Sequence, residues 1–254
     1  MSNKITLLIP TKNEAERISK CVLSANKLVD EIIVVDSFST DDTKSIAESL
    51  GAIVIQRTFD NYSNQKNWAI PKASNEWILL LDADEYLTDK LFVEIENLIK
   101  SDNLQKYQAY WAFRQNHFFN KQLNYSGFQK DKVIRLFNKN KCKYINQVHE
   151  QLVVDGKIGF LKNKLHHNTY KGFDFHIQKL NHYATLQALD YNKKTTNLNF
   201  YHFILKPMYR FFKHYVIQQG FRDGVPGIIM SCLGSYAVFL RYVKIWMLRN
   251  NIDK

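Results

Sequence analysis

The chain has few cysteines and prolines and no low-complexity tract. Its three cysteines, Cys21, Cys142 and Cys232, are far apart and form neither a CxxC pair nor a zinc-finger spacing. An odd number of widely spaced cysteines indicates free thiols in a reducing compartment. Because 45% of the residues are hydrophobic and no proline-rich tract is present, the composition excludes a disordered protein. We expect nearly the whole chain to be ordered.

The amino terminus also lacks a secretory signal. Residues 1–4 lead directly into a short strand-like run, without the apolar core and small-residue cleavage site of a signal peptide. We therefore expect the main domain to stay in the cytosol. The 254 residues show no internal repeat and suffice for one large domain, or for one domain with an appended helical region.

Glycine is missing from the turn after the first strand-like run. Residues 11–16 therefore cannot bring backbone amides up to a pyrophosphate as a GxGxxG turn does, and a Gly-Lys-Ser/Thr phosphate loop is also absent. These absences exclude two common backbone cradles for nucleotide phosphates. A nucleotide bound at this turn needs another counter-charge for its phosphates.

What the chain does contain is a regular alternation of strand-like and helix-like segments up to about residue 103. The strand-like runs are residues 5–9, 31–36, 52–55 and 77–81. The helical patterns between them include residues 15–28 and 62–73, and residues 37–43 supply caps for a further helix. Strands that alternate with helices predict βαβ units and a parallel sheet, which is an α/β fold.

The character of the chain changes after about residue 103. Residues 107–113 have the pattern of a sheet strand, and residues 133–137 and 144–148 predict a hairpin with a short loop. Antiparallel strands in the second half are typical of a mixed sheet. From Phe173 onward the pattern is helical, with breaks at Pro207 and at residues 224–227.

The most informative segment is the apolar run at residues 77–81, which ends abruptly in Asp82, Asp84 and Glu85. Such a run predicts a parallel strand buried on both faces, and its carboxyl end borders the ligand crevice of open α/β sheets. In an extended segment the side chains of Asp82 and Asp84 leave on the same face and can converge on one divalent cation. The alternative is a solvated loop with surface acids.

Two further polar residues fit a phosphate or nucleotide site. Lys66, on the helix after the third strand, can add a positive charge there. Asp36 ends the second strand, where an acid commonly hydrogen-bonds a ribose or a base edge. The alternative for Asp36 is a turn residue that caps the next helix.

The carboxyl-terminal tail, residues 200–254, is the basic pole of the chain. It carries eight Lys or Arg residues against two Asp residues and is rich in aromatic side chains. Its apolar run at residues 225–240 holds 16 residues, fewer than the ~20 of a spanning helix. We therefore predict an interfacial or re-entrant helix, and a division into a domain of residues 1–199 and a membrane-attaching tail of residues 200–254. The alternative is a helical hairpin packed on the main domain.

Together these segments resemble family 2 glycosyltransferases with the GT-A fold. The resemblance covers residues 4 to about 250 and is carried by residues 9–14 (IPTKNE), 35–43 (VDSFSTDDT), 65–67 (QKN) and 81–85 (LDADE). Residues 135–137 (RLF) and 148–150 (VHE) and the basic tail are similar to the subgroup that includes lipopolysaccharide inner-core β-1,4-glucosyltransferases. The resemblance implies a Rossmann-like mixed sheet of GT-A type, parallel in its amino-terminal half, with a helical, membrane-associating carboxyl-terminal region.

The resemblance also implies ligands and the residues that bind them. The donor is a UDP-sugar, and a divalent metal, Mn²⁺ or Mg²⁺, assists. The implied uridine contacts are Pro10, Thr11, Glu14 and Asp36. Lys66 is implied near the diphosphate, and Asp82 and Asp84 serve the ribose and the metal.

Inverting transfer needs a base, for which two carboxylates are candidates. Asp131 lies between two lysines and is predicted to face Arg135, so nearby positive charge makes it a weak base. Glu150, at the end of a predicted hairpin strand, is the better candidate. His149 beside it is a third metal ligand or an acceptor contact.

Alternatives remain open for these assignments. His149 can be a structural histidine and Glu150 a surface acid. His166 or His167 can take the place of His149 at the metal. The family usually carries an acidic pair at the base position, whereas this chain contains no Glu-Asp dipeptide.

The resemblance implies an inverting transferase that moves a hexose, glucose in the first place, from a UDP-sugar to a lipopolysaccharide core or related cell-envelope glycan. The implied partners are a lipid-linked glycan acceptor and an anionic membrane surface, with no nucleic acid, at the cytoplasmic face of the inner membrane. A metal-dependent nucleotidyltransferase is less favoured because the glycine-rich and basic loop that it needs is missing. A nonenzymatic module for nucleic acid or lipid is less favoured because the basic excess lies in an apolar tail.

Overall fold

The structure, a computed structural model, describes residues 3–118, 121–146, 150–168, 170 and 172–252. Contacts between residues divide the chain into two units. The sheet unit consists of Met1–Gln115 and Asp131–Asn168, and the helical unit consists of Asn116–Lys130 and Thr169–Lys254. The division into residues 1–199 and 200–254 stays a prediction.

The amino-terminal part of the sheet unit alternates strands and helices. Its elements are β1 (Ile5–Thr11), α1 (Ala15–Ala25), β2 (Glu31–Asp36), α2 (Thr43–Ser49), β3 (Ile53–Gln56), α3 (Tyr62–Ala69) and β4 (Trp77–Leu80). β1 pairs in parallel with β2 and β4, and β2 pairs in parallel with β3. The predicted βαβ units are therefore confirmed. The carboxyl ends of β1, β2 and β4 meet at one edge of the sheet.

The second part of the sheet unit adds antiparallel strands. The elements that follow are β5 (Glu85–Leu87), α4 (Asp89–Ile99), β6 (Ala109–Phe118), β7 (Lys121–Gln122), β8 (Lys132–Asn138), β9 (Cys142–Ile145), β10 (Gln151–Val154) and β11 (Ile158–His167). Of these, β7 and residues 116–118 of β6 belong to the helical unit. The main sheet has the order β3-β2-β1-β4-β8-β6-β11-β5. β8 is antiparallel to β4 and β6, and β5 is antiparallel to β11. The predicted mixed sheet is confirmed.

The predicted hairpin between residues 133–137 and 144–148 is wrong. β8 has β4 on one side and β6 on the other, so it offers no edge to β9. A 3₁₀ turn, Lys139–Lys141, follows β8, and the Asn138 side chain caps it by accepting a hydrogen bond from the Asn140 backbone N–H at 2.9 Å. β9 pairs instead with β10 in a separate ladder.

Apolar side chains pack on both faces of the main sheet. Leu7 and Leu79 belong to one core cluster, whereas the next residues along, Leu8 and Leu80, belong to another. Successive strand residues point to opposite faces, so a period of two divides the core in this way. All four residues of β4 are buried, which confirms the prediction of a strand covered on both faces.

The helical unit contains α5 (Phe173–Asn192), α6 (Lys206–Phe212) and α7 (Val225–Arg249). Two π-helical segments, Tyr201–Leu205 and Lys213–Ile217, flank α6, and a 3₁₀ turn, Gly220–Asp223, precedes α7. Ala188 of α5 packs with Val238, Tyr242 and Ile245 of α7 in one apolar cluster. The helical character predicted from Phe173 onward is confirmed.

α7 is longer than the apolar run from which its length was predicted. It holds 25 residues, because the helix continues past residue 240, where Tyr242, Ile245 and Trp246 keep it apolar between basic residues. By length and composition it is apolar enough to cross a membrane. The prediction that this segment is too short to span is therefore wrong.

Candidate active site

The carboxyl ends of β1 and β2 bring Thr11 opposite Asp36, and Pro10 precedes Thr11 within β1. Asp36 is fully buried, and its carboxylate accepts hydrogen bonds from the Ser39 backbone N–H at 3.1 Å and from Gln56 Nε2 at 3.0 Å. Asp36 therefore organises the turn before α2. The buried Thr11 hydroxyl has no hydrogen-bond partner among the described residues. Such a group is costly to bury, and a bound ligand can relieve that cost.

Two turns at this edge are tied together by side-chain hydrogen bonds. Asn13, in the turn after β1, has a φ of 53°, which Asn tolerates better than most residues. Its backbone N–H donates to Ser39 Oγ at 2.9 Å, and the Glu14 backbone N–H donates to Thr43 Oγ1 at 2.7 Å. These bonds hold residues 10–14 beside the loop that follows β2.

The acidic segment after β4 is a tight turn rather than an extended strand. The Glu85 backbone N–H donates to the Asp82 carbonyl at 2.8 Å, and the Asp82 backbone N–H donates to Glu85 Oε2 at 3.1 Å. The Asp82 side chain pairs with Arg135, whereas the Asp84 side chain lies near His167. The extended geometry predicted for this segment is therefore wrong, and the turn gives the two carboxylates different surroundings.

Asp82 is held by two cations. Arg135 Nη2 donates to its Oδ2, and Lys66 Nζ lies 3.6 Å from its Oδ1. Burial on its own raises the pKa of Asp82, but the Arg135 guanidinium and the Lys66 ammonium outweigh burial and hold that pKa well below its usual range. Asp82 is therefore ionised at neutral pH, and both of its oxygens face a cation.

Three consecutive side chains of α3 reach three different parts of the sheet unit. Gln65 Nε2 donates to Ser37 Oγ, after β2, at 2.7 Å. Asn67 forms two hydrogen bonds with the Tyr144 backbone in β9, at 2.8 and 2.9 Å. The neighbours of Lys66 thus anchor α3 on both sides, and they fix the direction in which the lysine points.

Lys66 joins Asp82 to Glu150. Only 2% of Lys66 is exposed, and its Nζ donates to Glu150 Oε1 at 2.7 Å. Burial alone lowers the pKa of Lys66, but Asp82, Tyr144 and Glu150 together raise it above its usual range, so the lysine stays charged. Within the described part of the chain, Glu150 Oε2 has no hydrogen-bond or ion-pair partner. The predicted phosphate lysine, the strand-end acid and the candidate base are therefore brought together.

Arg114 and Arg135 flank the buried carboxylate of Glu85. Arg135 Nε lies 2.7 Å from Glu85 Oε2, and Arg114 Nη1 lies 3.7 Å from Glu85 Oε1. Arg114 also donates two hydrogen bonds to Asp131, from Nε to Oδ2 at 3.0 Å and from Nη2 to Oδ1 at 2.7 Å. Asp131 thus faces Arg114, and the prediction that it faces Arg135 is wrong, because Arg135 is engaged by Asp82 and Glu85.

Asp84 and His167 are the described residues best arranged to accept a divalent cation. His167 Nε2 is 3.9 Å from Asp84 Oδ2. Burial, reinforced by the positive charge of Arg114, lowers the pKa of His167 to about 3. At neutral pH its imidazole is therefore uncharged, which is the form that binds metals. Ligand bonds of about 2.0–2.2 Å allow two atoms at this separation to share one ion.

Within the described ranges, no group of three or more His, Cys, Asp or Glu side chains is arranged to hold a metal ion. Mg²⁺ is usually bound by one or two carboxylates and completed by substrate phosphates, rather than by an all-protein cage. The Asp84–His167 pair fits a site of that kind. His149, the predicted third ligand, lies outside the described residues. His166 stacks on Tyr86, with ring centroids 4.5 Å apart.

Neither Arg114 nor Arg135 was predicted as part of this site, whereas Glu85 was noted among the strand-end acids. A signal for the two arginines was present, since each lies in a strand that is otherwise largely apolar, β6 and β8. An ionised side chain in a buried strand needs a counter-charge inside the protein. That requirement could have linked Arg135 to the acids after β4.

Comparisons with known proteins agree on one family. The family profile described as "Glycosyl transferase family 2" matches residues 6–159. An uncharacterized glycosyltransferase of Rickettsia felis is 36% identical over 252 residues, which cover 95% of this chain and 89% of that protein. The lipopolysaccharide core biosynthesis glycosyltransferase LpsC of Rhizobium meliloti is 28% identical over 256 residues, covering 95% of this chain and 93% of LpsC.

Among solved structures, glucosyl-3-phosphoglycerate synthase from Mycobacterium tuberculosis is 25% identical and covers 44% of each chain, with a TM-score of 0.37, too low to support any inference about ligands. The observed sheet, parallel in its amino-terminal half and mixed beyond it, has the GT-A type architecture that the resemblance implied. The family profile spans the site from Thr11 to Glu150. The chain therefore belongs to glycosyl transferase family 2 and is a glycosyltransferase.

Proposed function

We propose that this glycosyltransferase inverts the anomeric centre as it moves a hexose, glucose in the first instance, from a UDP-sugar to a lipopolysaccharide core or related cell-envelope glycan. The similarity to LpsC supports this class of acceptor. The observation that carries the proposal is the chain of ion pairs from Asp82 through Lys66 to Glu150. It joins residues implied at the donor to the candidate base.

The proposed uridine site is the edge formed by β1 and β2. The buried Thr11 hydroxyl, which has no partner in the described part of the chain, supports a polar ligand contact there. Asp36 lies opposite Thr11 in register, and Pro10 and Glu14 belong to the same strand and turn. A uracil ring and a ribose offer both hydrogen-bond donors and acceptors, so they suit an edge that carries a hydroxyl and a carboxylate.

Charge supports a divalent cation at the proposed diphosphate site. Among the described residues around it, carboxylates outnumber cationic side chains. The carboxylates are Asp82, Asp84, Glu85, Asp131 and Glu150, and the cations are Lys66, Arg114 and Arg135. Asp84 and His167 would hold the ion, whereas Asp82 already faces two cations. When bound, Mn²⁺ or Mg²⁺ supplies Lewis-acid stabilisation for the charge that develops on the leaving diphosphate.

Glu150 is the proposed base. The acceptor oxygen attacks the anomeric carbon, the bond from that carbon to the diphosphate oxygen breaks, and the hydroxyl proton passes to the carboxylate. Lys66 holds Glu150 Oε1, which leaves Oε2 to take the proton. Asp131 is the weaker candidate because both of its oxygens accept hydrogen bonds from Arg114.

We further propose that the enzyme works as a peripheral protein at the cytoplasmic face of the inner membrane, on a lipid-linked acceptor and bound to anionic lipid. The basic excess of residues 200–254 and the apolar length of α7 support membrane association. Attachment to the surface that carries the acceptor would let enzyme and acceptor meet in two dimensions. Nucleic acid is not an expected partner.

Calorimetric titration with UDP, with and without Mn²⁺, tests the donor proposal. We expect UDP to bind in Mn²⁺ and its affinity to fall at least about tenfold in chelator, because the carboxylate excess then repels the diphosphate. Incubation of UDP-glucose or UDP-galactose with core oligosaccharide, followed by NMR of the new linkage, tests the reaction. A retained anomeric configuration, or UDP binding that ignores the metal, would contradict the corresponding part of the proposal.

A further inference from the structure

Among the described residues, α7 anchors one side of the helical segment of residues 200–217, which comprises α6 and its π-helical flanks. Lys206 Nζ donates to Tyr242 Oη of α7 at 2.7 Å. Pro207 is buried, and its carbonyl accepts a hydrogen bond from Ser235 Oγ of α7 at 2.8 Å. One face of the segment is therefore fastened to α7 within the helical unit.

The opposite face is apolar and exposed. We call it the apolar stripe, and it consists of Tyr201, Ile204, Leu205, Met208, Tyr209, Phe212 and Val216. These positions recur every three or four residues, so they lie along one side of the helix. Between 39% and 61% of each residue is exposed. A surface helix normally turns its polar face outward, whereas this one presents a continuous apolar face that calls for a partner.

The charges of the same segment indicate an anionic partner. Between Asp190 and Asp223, 32 residues contain six Lys or Arg residues and no Asp or Glu. Arg210 and Lys213 are three residues apart, so they lie next to each other along one flank of the stripe, whereas the Lys206 ammonium is bonded to Tyr242. Cations beside an apolar face rich in aromatic residues are typical of a helix that lies in the headgroup region of an anionic bilayer.

We propose that the apolar stripe is the surface that docks this protein on an anionic bilayer. Its side chains enter the boundary between headgroups and acyl chains, while Arg210 and Lys213 contact lipid phosphates. This inference rests on the proposed membrane attachment, and it assigns that attachment to the α6 segment rather than to α7. A second copy of the chain is the less favourable occupant, because a symmetric dimer through the stripe would bring two basic flanks close together.

A vesicle assay with a stripe variant tests the inference on the full chain. The variant combines Leu205→Gln, Met208→Gln and Phe212→Gln, since Gln keeps helix propensity close to that of Leu and Met. The vesicles contain equal parts of phosphatidylglycerol and phosphatidylethanolamine, and pure phosphatidylcholine vesicles report the contribution of charge. We expect the stripe variant to bind the anionic vesicles at least about tenfold more weakly than the wild type, because three large apolar side chains no longer leave water.

The matched control also replaces three exposed apolar side chains by Gln, but away from the stripe, as Leu23→Gln, Ile53→Gln and Val93→Gln. These residues lie in the sheet unit and are 54%, 55% and 51% exposed, close to the values for the substituted stripe residues. We expect the control to bind vesicles as the wild type does. Both variants should keep the wild-type melting temperature and UDP binding, because all six side chains are exposed and lie outside the candidate site.

The remaining outcomes would contradict the inference in different ways. If the wild type fails to bind anionic vesicles at low salt, the proposed membrane attachment and this inference both fall. If the wild type binds and the stripe variant binds equally well, the attachment stands and the stripe assignment is overturned. Weaker binding by an Ile228→Gln and Phe239→Gln variant of α7 would then identify α7 as the docking element. A wild-type dimer in light scattering that the stripe variant abolishes would also overturn the assignment.

Discussion

Lys66 donates a hydrogen bond to Glu150 at 2.7 Å, although the two residues are 84 positions apart in the chain. The same ammonium lies 3.6 Å from Asp82 Oδ1. A single buried cation therefore connects an acid at the end of β4 with the candidate base.

Substitution of this base should separate binding from catalysis. We expect Glu150→Gln to lower the transfer rate by ~10²–10⁴, since the amide keeps the shape of the side chain but cannot accept the proton. UDP affinity should stay close to the wild-type value. Initial rates at saturating donor and calorimetric titration with UDP measure the two effects. Asp131→Asn is the comparison variant, and normal turnover by Glu150→Gln beside an inactive Asp131→Asn would reverse the roles of the two acids.

The metal proposal predicts the loss of one specific response. Asp84→Ala should abolish transfer and the Mn²⁺-dependent gain in UDP affinity while the fold stays intact, because Asp84 lies in a turn and contributes little to the core. His167→Ala should weaken the same response. Asp89→Ala removes an exposed carboxylate at the start of α4 and should behave as the wild type. Full activity of Asp84→Ala at limiting Mn²⁺ would rule out this assignment.

Arg135 should be important for stability as well as for the site. We expect Arg135→Met to lower the free energy of unfolding by about 3–5 kcal/mol, since it leaves the fully buried Glu85 and the adjacent Asp82 without their main counter-charge. Arg114→Met should cost less, because Arg114 is 21% exposed and lies 3.7 Å from Glu85. Urea denaturation measures both variants. Equal losses in the two variants would argue against a dominant role for Arg135.

His214 in the helical unit predicts a pH dependence of stability. Burial, with the positive charges of Arg210 and Lys213, lowers the pKa of His214 to about 4. The unfolded chain therefore takes up a proton near pH 6.5 while the folded chain does not, so stability is complete above that pH and falls as the pH drops toward 4. The slope from this group is at most about 1.4 kcal/mol per pH unit.

Unfolding free energies of His214→Gln between pH 7 and pH 4 check this prediction, because the substitution should make the slope shallower and leave the share of His167, whose pKa is also lowered. His182→Gln, at an exposed position of α5, is the matched control and should leave the slope unchanged. A wild-type slope that persists in His214→Gln would assign the acid sensitivity to other groups.

The elements of the sheet unit were predictable from local pattern. Residues 31–36 were predicted as a strand with the same bounds as β2, because the acid at the end of the apolar run marks where the strand ends. α3 ends at Ala69, four residues earlier than predicted, because Pro71 belongs to the 3₁₀ turn Ile70–Lys72 that follows it. The hairpin after β8 could not be excluded from sequence, since strand pairing depends on which edges other strands have already taken.

The sequence by itself determined the strand-end acids, the polar turn after β1, the basic tail and the motifs of the family. Only the tertiary structure decided which charges meet, because Arg135 and Asp82 are 53 positions apart and their contact depends on β8 lying next to β4. The tertiary structure also decided which apolar side chains stay exposed to solvent. The composition of residues 200–217 is visible in the sequence, but the exposure of the apolar stripe depends on α7 covering the opposite face, and such packing has no local signal.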